Sequence, residues 1–346
     1  MPSPVTAQAQ AGPPLPPPER EVLQRAFELW GAEASCPELL GGSNCWVYAL
    51  DRADGKRVLR LTPDTGPSRT GQVRAELDWL CYLARRDAPV CAPSTSLQGR
   101  LVERLGGEHD GGVYLVSAFQ RARGKPVYSS HPEVWTPELF EICGRTLGEL
   151  HALSKDFVPD PDARREGWSA PGLVALARQA LPLAERGALS TLERCCERIS
   201  ELSCGRDDYG LIHGDFHQGN YWLNGHRLEV FDFDGCAYCW FGFDIAISLL
   251  ASLLDHVDRG ERRLEGHARA YFSHFMRGYV RENRLASAWA ERLGDFLQVF
   301  NLLIFVSFFR SSKRPAGKLF DFVSEHARSG EPCINLDFSR LYEEIA

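Results

Sequence analysis

Between Leu211 and Gly235 the chain reads LIHGDFHQGNYWLNGHRLEVFDFDG, with Asp215, then Asn220 five residues on, then Asp232 twelve further, all among short apolar runs. These types at these intervals suit phosphoryl transfer. A carboxylate must accept or orient the proton of an attacking hydroxyl while a metal-bridged triphosphate is held in line with it, and Asp215 has that position. Mg2+ takes hard oxygen ligands at roughly 2.0–2.1 Å and keeps several waters, so one carboxylate and one amide oxygen beside the phosphates suffice. Asp232 and Asn220 supply them.

The interval from Asp215 to Asn220 equals that between the catalytic Asp and the metal-binding Asn of the protein-kinase sequence His-Arg-Asp-x-x-x-x-Asn, and the order base, amide, metal carboxylate is the same. The segment HGDFHQGN followed by FDFDG resembles the aminoglycoside phosphotransferase and choline kinase-like family, with Gly214 in place of the protein-kinase Arg. The resemblance implies that Asp215 is the catalytic base, that Asn220 and Asp232 bind Mg2+, and that His213 and His217 hold the loop in shape. It further implies Asp234 as a second carboxylate near the metals and Asp244 as an anchor of the catalytic loop. A coincidental polar loop between strands would not place three functional types at fixed spacing.

Such a site needs a turn over the phosphates, a strand carrying a cation, and a helix carrying a carboxylate that orients this cation. Leu40-Gly41-Gly42-Ser43-Asn44 supplies the turn, which makes Ser43 and Asn44 candidate nucleotide contacts. Alternating runs from Cys45 to Leu50 and from Lys56 to Leu61 flank the hairpin signal Asp54-Gly55. In the second run period-two alternation points Val58 and Arg60 to one face, an apolar contact for a base beside a cation for phosphates. The cation is Arg where protein kinases have Lys, a planar fork in place of a compact point charge. In the window from Thr70 to Leu83, apolar residues recur at Val73, Leu77, Leu80 and Leu83, and Glu76 shares that helical face as the partner of Arg60. By itself a Glu on a helix flank reads as solvated, and a two-Gly turn reads as a simple connection.

The expected fold is α+β: a two-lobed protein-kinase-like fold, its small N-lobe an antiparallel sheet with one or two helices, its larger C-lobe mainly α-helical. Residues 1–18, Pro- and Ala-rich, are read as a disordered tail; residues 19–118 as the N-lobe and residues 119–346 as the C-lobe. An entry helix from Glu19 to Trp30 and a hairpin of Leu101 to Leu105 with Val113 to Phe119 around His109-Asp110-Gly111-Gly112 complete the small lobe. The segment from Val116 to Phe119 resembles the hinge, so adenine is expected against the backbone of Ser117 and Phe119. Thr136-Pro137 starts a helix. Further helices are expected over Leu173 to Arg186, Ser190 to Leu202, Phe243 to Leu254, Leu264 to Val280 and Ala286 to Arg310. His151 is given a packing role. The aromatic group Tyr238, Trp240, Phe241 and Phe243 fits either a cation–π cage or packing of the metal loop, with packing favoured.

The 346 residues carry 44% hydrophobic and 25% charged side chains, enough for a real core. A net charge of −7 without a long basic run argues against nucleic acid as a partner. The first residues lack the basic start and apolar core of a signal peptide, and the apolar stretch from Phe296 to Phe309, interrupted by Gln298, Asn301 and Ser307, is too short for a membrane span. Eleven cysteines, an odd number in a long chain, read as reduced thiols in a cytoplasmic protein. Cys236-Ala-Tyr-Cys239 has the spacing of half a zinc site or of a redox pair, but no second Cys or His pair stands at a suitable interval, so the cysteines are read as small buried thiols.

The function expected is ATP- and Mg2+-dependent phosphorylation of a hydroxyl on a small molecule such as an aminoglycoside, amino alcohol or hydroxy amino acid, with oligomeric state open. Ten residues from Asp234 to Phe243 leave little room for a peptide-binding segment, which disfavours the alternative of a bacterial stress-response Ser/Thr protein kinase. A non-catalytic pseudokinase would have lost one of Asp215, Asn220 and Asp232. A zinc hydrolase built on His213, Asp215 and His217 leaves Arg60, Glu76 and Asp232 unused.

Overall fold

The structure is a computed structural model that describes residues 17–32, 37–42, 45–52, 54–106, 112–163, 165–261, 263–310 and 316–346. Its N-terminal part is helix α1 (Arg20–Leu29) on a sheet of β1 (Leu39–Gly41), β2 (Trp46–Arg52), β3 (Gly55–Pro63), β4 (Pro93–Ser94), β5 (Glu103–Gly106) and β6 (Val113–Gln120). The spatial order is β1-β2-β3-β6-β4 with β5 also on β6, and every pair is antiparallel. Asp54-Gly55 closes the β2/β3 hairpin as the turn signal predicts, with Arg52 opposite Gly55.

Alternation along β3 sorts its side chains. Leu59 and Leu61 enter the core formed with Val22 and Phe27 of α1 and with Trp30 just past its end, while Val58 and Arg60 face the cleft. Helix α2 (Pro67–Arg85) buries Val73, Leu77, Leu80 and Leu83, the predicted stripe, but in the core of the C-terminal part and not in that of α1. The helix that carries Glu76 is therefore seated on the same body as the catalytic loop.

The C-terminal part holds β7 (Lys125–Pro126), α3 (Pro137–Ser154), α4 (Ala170–Ala180), α5 (Arg186–Ser200), β8 (Tyr209–Ile212), β9 (Tyr221–Asn224), β10 (Arg227–Val230), β11 (Ala237–Trp240), α6 (Phe241–Arg259), α7 (Leu264–Tyr279), α8 (Ala288–Glu291), α9 (Leu293–Arg310), α10 (Lys318–Ser329) and α11 (Phe338–Glu343). Thr136 caps α3, its hydroxyl accepting from the Leu139 amide at 3.4 Å, with Pro137 at the first helical position. Strand β9 pairs with β10 and with β7, and β8 pairs with β11, all antiparallel, so the catalytic and metal loops emerge side by side. Helix α9 is long and apolar enough to cross a membrane, but 72% of that window is buried against the rest of the fold.

Several expected bounds move for local reasons. The helix expected from Leu173 to Arg186 ends at Ala180, because Pro182 has no amide hydrogen to continue it, and a 3-10 turn over Leu183–Glu185 leads into α5. The helix expected from Ala286 to Arg310 is two, parted at Arg292. Helices α10 and α11 had no expectation. The tip of the β5/β6 hairpin, residues 107–111, lies outside the described residues. Strand β6 continues to Gln120, two residues past the expected boundary at 118/119, and the chain then crosses to β7.

Candidate active site

A cleft of about 480 Å3 runs between the sheet and the C-terminal part. It is lined by Val58, Arg60, Glu76, Phe119, Asp215, Asn220 and Asp232, seven of the ten residues singled out from the sequence. Ser43 and Asn44 lie outside the described residues. Ser117 is a correction: it sits inside β6 opposite Arg60, fully buried, with its backbone committed to the sheet. The cleft wall comes three to five residues later, at Gln120, Arg121 and Ala122.

The catalytic loop is held from behind. Asp244, fully buried at the start of α6, accepts from the amides of His213 at 2.7 Å and Gly214 at 2.8 Å. His151 reaches the same carboxylate through Nε2 at 3.2 Å and meets Tyr279 Oη through Nδ1 at 2.8 Å, so its role exceeds packing: it orients the anchor. His213 Nδ1 accepts from the Asp215 amide at 3.2 Å, which leaves Nε2–H to donate to the Phe231 carbonyl at 3.1 Å. Burial lowers the pKa of both imidazoles, in keeping with neutral rings. Gly214 has φ +77, and a Cβ there would lie 2.2 Å from the Gly235 carbonyl oxygen, so the close meeting of catalytic and metal loops explains why Arg is absent. Gly42, at φ +125, would put a Cβ 2.1 Å from the Cys45 carbonyl oxygen, and both residues line the cleft.

Asn220 donates through Nδ2 to the Asp215 backbone oxygen and to Oδ2, each at 3.0 Å, which leaves its Oδ1 without a hydrogen bond among the described residues. Asp232 heads the metal loop in the left-handed region at φ +64, a strained conformation for a side chain other than Gly. Its carboxylate faces the open cleft, yet desolvation by the cleft walls, reinforced by Asp234, raises its pKa to about 6. Asp234, two residues on, is the opposite case. Burial would raise it, but Arg69, Arg60 and Arg165 outweigh burial and hold it at about 2. A free amide oxygen beside a carboxylate that carries an unfavourable charge is a donor set that fits a hard divalent cation.

Arg60 and Glu76 form the predicted pair as a two-pronged fork, Nη1–Oε1 at 2.8 Å and Nη2–Oε2 at 2.7 Å, both side chains buried. The guanidinium lies 4.9 Å from the ring centre of Phe119. A Lys could make neither the fork nor this stacking.

Residues 37–285 match the phosphotransferase enzyme family, APH. The chain belongs to that family. The phosphotransferase is 29% identical over 288 residues to the amicoumacin kinase of Bacillus subtilis (strain 168), spanning 83% of this chain and 84% of that one. Among solved structures, amicoumacin kinase in complex with AMP-PNP, Ca2+ and Ami superposes with a TM-score of 0.83 at 26% identity, over 97% of this chain and 98% of that one. An aminopropanol kinase (TM-score 0.68, 20% identity, 89% and 94% covered) and a spectinomycin phosphotransferase (0.57, 14%, 95% and 100%) share the fold. That fold is the protein-kinase-like one.

Two arginines of the phosphotransferase escaped the sequence reading. Arg69, in the first turn of α2, meets Asp234 at 2.9 Å and 3.0 Å. Arg165 donates to the Asp234 carbonyl at 2.8 Å and to Cys236 Sγ at 3.1 Å, and lies 3.9 Å from Glu76. Arg69 was discoverable as the residue one heptad before Glu76 on the same helical face; Arg165 carried no local signal. The Cys236 thiol, expected as a buried thiol, serves as that acceptor. Of the aromatic group, Trp240, Phe241 and Phe243 are core residues, with Phe243 packed on Phe296 and Trp168, and Tyr238 and Phe243 also line a second cavity.

Proposed function

We propose that this ATP-dependent phosphotransferase phosphorylates the hydroxyl of a small molecule with Asp215 as base, Arg60 on the phosphates under the orientation of Glu76, and Asn220 and Asp232 as the Mg2+ ligands. The observation that carries the reading is the convergence of Asp215, Asn220 and Asp232 on one cleft whose roof is the Arg60–Glu76 fork. Adenine would lie between Val58 and the rings of Trp222 and Phe231, against the backbone from Gln120 to Ala122. Residues 19–120 would form the nucleotide lobe and the remainder the catalytic lobe.

Asp215 takes the proton as the acceptor oxygen bonds to the γ-phosphorus and the bridging bond to the β-phosphate breaks, releasing ADP. The bound cation supplies charge neutralisation of the triphosphate, and the rigid loop fixed by Asp244 and His151 supplies alignment. Related proteins act on amicoumacin and aminopropanol by their names, which supports a small acceptor over a peptide. Intact Asp215, Asn220 and Asp232 speak against a pseudokinase. Dependence on ATP supports a cytoplasmic site of action.

The test is thermal stability with ATP and Mg2+ in wild type and Asp232→Ala. A midpoint raised by ATP only when Mg2+ is present, and only in wild type, is expected. Equal stabilisation of both proteins, or none in either, would overturn the reading.

A further inference from the structure

Behind the catalytic loop, the chain of polar contacts continues past His151 into α7. Helices α3 and α7 meet through three glycines: a Cβ at Gly144 would lie 1.8 Å from the Phe275 carbonyl oxygen, one at Gly148 2.7 Å from that of Tyr279, and one at Gly278 2.0 Å from that of Glu141. Only backbones bare of side chains approach so closely. This contact sets the Tyr279 ring edge-on to His151, 5.7 Å between centres, with Tyr279 Oη 2.8 Å from Nδ1. Asn283 Nδ2, one turn further on, donates to the same Oη at 2.8 Å. Asp244, His151, Tyr279 and Asn283 are all buried, and neither Tyr279 nor Asn283 lines the cleft.

Asp244 sets the direction of every hydrogen in this chain. Its carboxylate accepts from the His213 and Gly214 amides and can only accept from His151, so Nε2 carries the hydrogen and Nδ1 keeps a lone pair. Tyr279 must then donate to Nδ1, which leaves its oxygen to accept from Asn283. Burial raises the Tyr279 hydroxyl well above its ordinary pKa, so it stays a donor. The other tautomer fails at both ends: Nε2 would turn a lone pair on the carboxylate, and the Tyr279 hydrogen, displaced by Nδ1–H, would meet the Asn283 amide nitrogen, itself a donor.

We propose that Tyr279 and Asn283 are positioning residues of the phosphotransfer site: they hold His151 in the tautomer that donates to Asp244, and Asp244 holds the His213 and Gly214 amides from which Asp215 projects. The catalytic end of this chain rests on the role proposed above for Asp215; the hold on the loop does not. A helix 64 residues beyond the catalytic loop thereby fixes the orientation of that loop without touching a reacting atom.

The test reads the ring and the loop directly. In protein carrying 15N-labelled histidine, with His151→Gln to assign the signal, the His151 hydrogen should sit on Nε2 in wild type and be shared between both nitrogens in Tyr279→Phe. Amide exchange at His213 and Gly214 should quicken about five- to tenfold in that variant, the size of one neutral hydrogen bond, while β2 and β3 keep their protection. Asn283→Asp, which offers the Tyr279 hydroxyl a competing acceptor, should act in the same direction. ADP release from ATP, with water as the acceptor, should fall about tenfold in kcat at unchanged KM, part of the hundredfold that a misplacement of about 1 Å costs. The inference is overturned by a His151 hydrogen on Nδ1 in wild type, by unchanged exchange at His213 and Gly214 in both variants, or by a loosened loop with ADP release undiminished. Faster exchange spread evenly over α3, α7 and the loop, as packing alone would give, overturns it too. No stabilisation of wild type by ATP with Mg2+ would overturn the function proposed above instead, and the ring and loop measurements would still decide this inference.

Discussion

The guanidinium of Arg69 lies 2.9 Å and 3.0 Å from the two carboxylate oxygens of Asp234, tying the first turn of α2 to the metal loop. The contact spans 165 residues of sequence. It also divides the labour between two acids that sequence alone treats alike. Asp234 spends its charge on arginines, whereas at Asp232, on the cleft, desolvation and the neighbouring Asp234 outweigh the pull of Arg60.

The first prediction concerns pH. Asp232 has a pKa of about 6, raised by desolvation and by Asp234, so cation binding must compete with a proton below that value. The affinity for ATP with Mg2+ should fall about tenfold per pH unit below about 6, while ATP affinity without metal should not follow that curve. The sign for stability is the reverse of the usual carboxylate. A folded pKa above the unfolded one means that the apo protein loses stability as pH rises from the ordinary carboxylate value towards 6. Asp232→Asn, which tolerates the left-handed backbone, should therefore melt higher than wild type at neutral pH in the apo form, yet lose about 10²–10³-fold in turnover. Melting and rates on one preparation test both halves.

Removing Arg69 leaves Asp234 with Arg60 and Arg165 but without its direct partner. Arg69→Ala should cost about 1.5–3 kcal/mol of unfolding free energy, the range for a hydrogen bond to a charged group. Because the lost contact joins α2 to the metal loop, stabilisation by ATP with Mg2+ should also shrink. A purely peripheral pair would lower the apo stability and leave the nucleotide increment intact, which urea titrations with and without ligand distinguish.

What the sequence made legible was whatever is encoded locally. Alternation put Val58 and Arg60 on one face and Leu59 and Leu61 on the other, and helical recurrence put Glu76 on the buried face of α2, because neighbours within two turns determine both. The interval from Asp215 to Asn220 survived because one tight loop fixes it. The end of β6 was not legible because its length is decided by its partners β3 and β4, with the Gln120 amide donating to the Ala92 carbonyl, and no feature of Ser117 announces that pairing. Arg165 was invisible for the same reason: its thiol partner is 71 residues away.

Gly214→Ala tests the meeting of the two loops. The substitution meets a left-handed backbone and a carbonyl oxygen 2.2 Å from the new Cβ. The backbone term alone costs about 1–2 kcal/mol, and relief of the clash requires the catalytic loop to back away from Gly235. A displacement on the order of 1 Å costs about a hundredfold in rate. The expected result is a turnover loss far larger than the stability loss, read by comparing kcat with the midpoint of urea unfolding.

Arg60→Lys tests the fork. The variant keeps a positive charge within reach of Glu76 and of the phosphates, but it loses one of the two parallel hydrogen bonds at 2.7 Å and 2.8 Å and the stacking on Phe119. A drop of about tenfold in kcat/KM for ATP is expected from the weaker, less oriented contact. Arg60→Met is the sharper case. It strands the buried Glu76, a loss of about 3–5 kcal/mol when a buried pair is broken from one side, although Arg165 at 3.9 Å stands ready to take part of the charge. That compensation is itself measurable: in an Arg165→Met background the further cost of Arg60→Met should exceed its cost in wild type, and strict additivity of the two would show that Arg165 does not share Glu76.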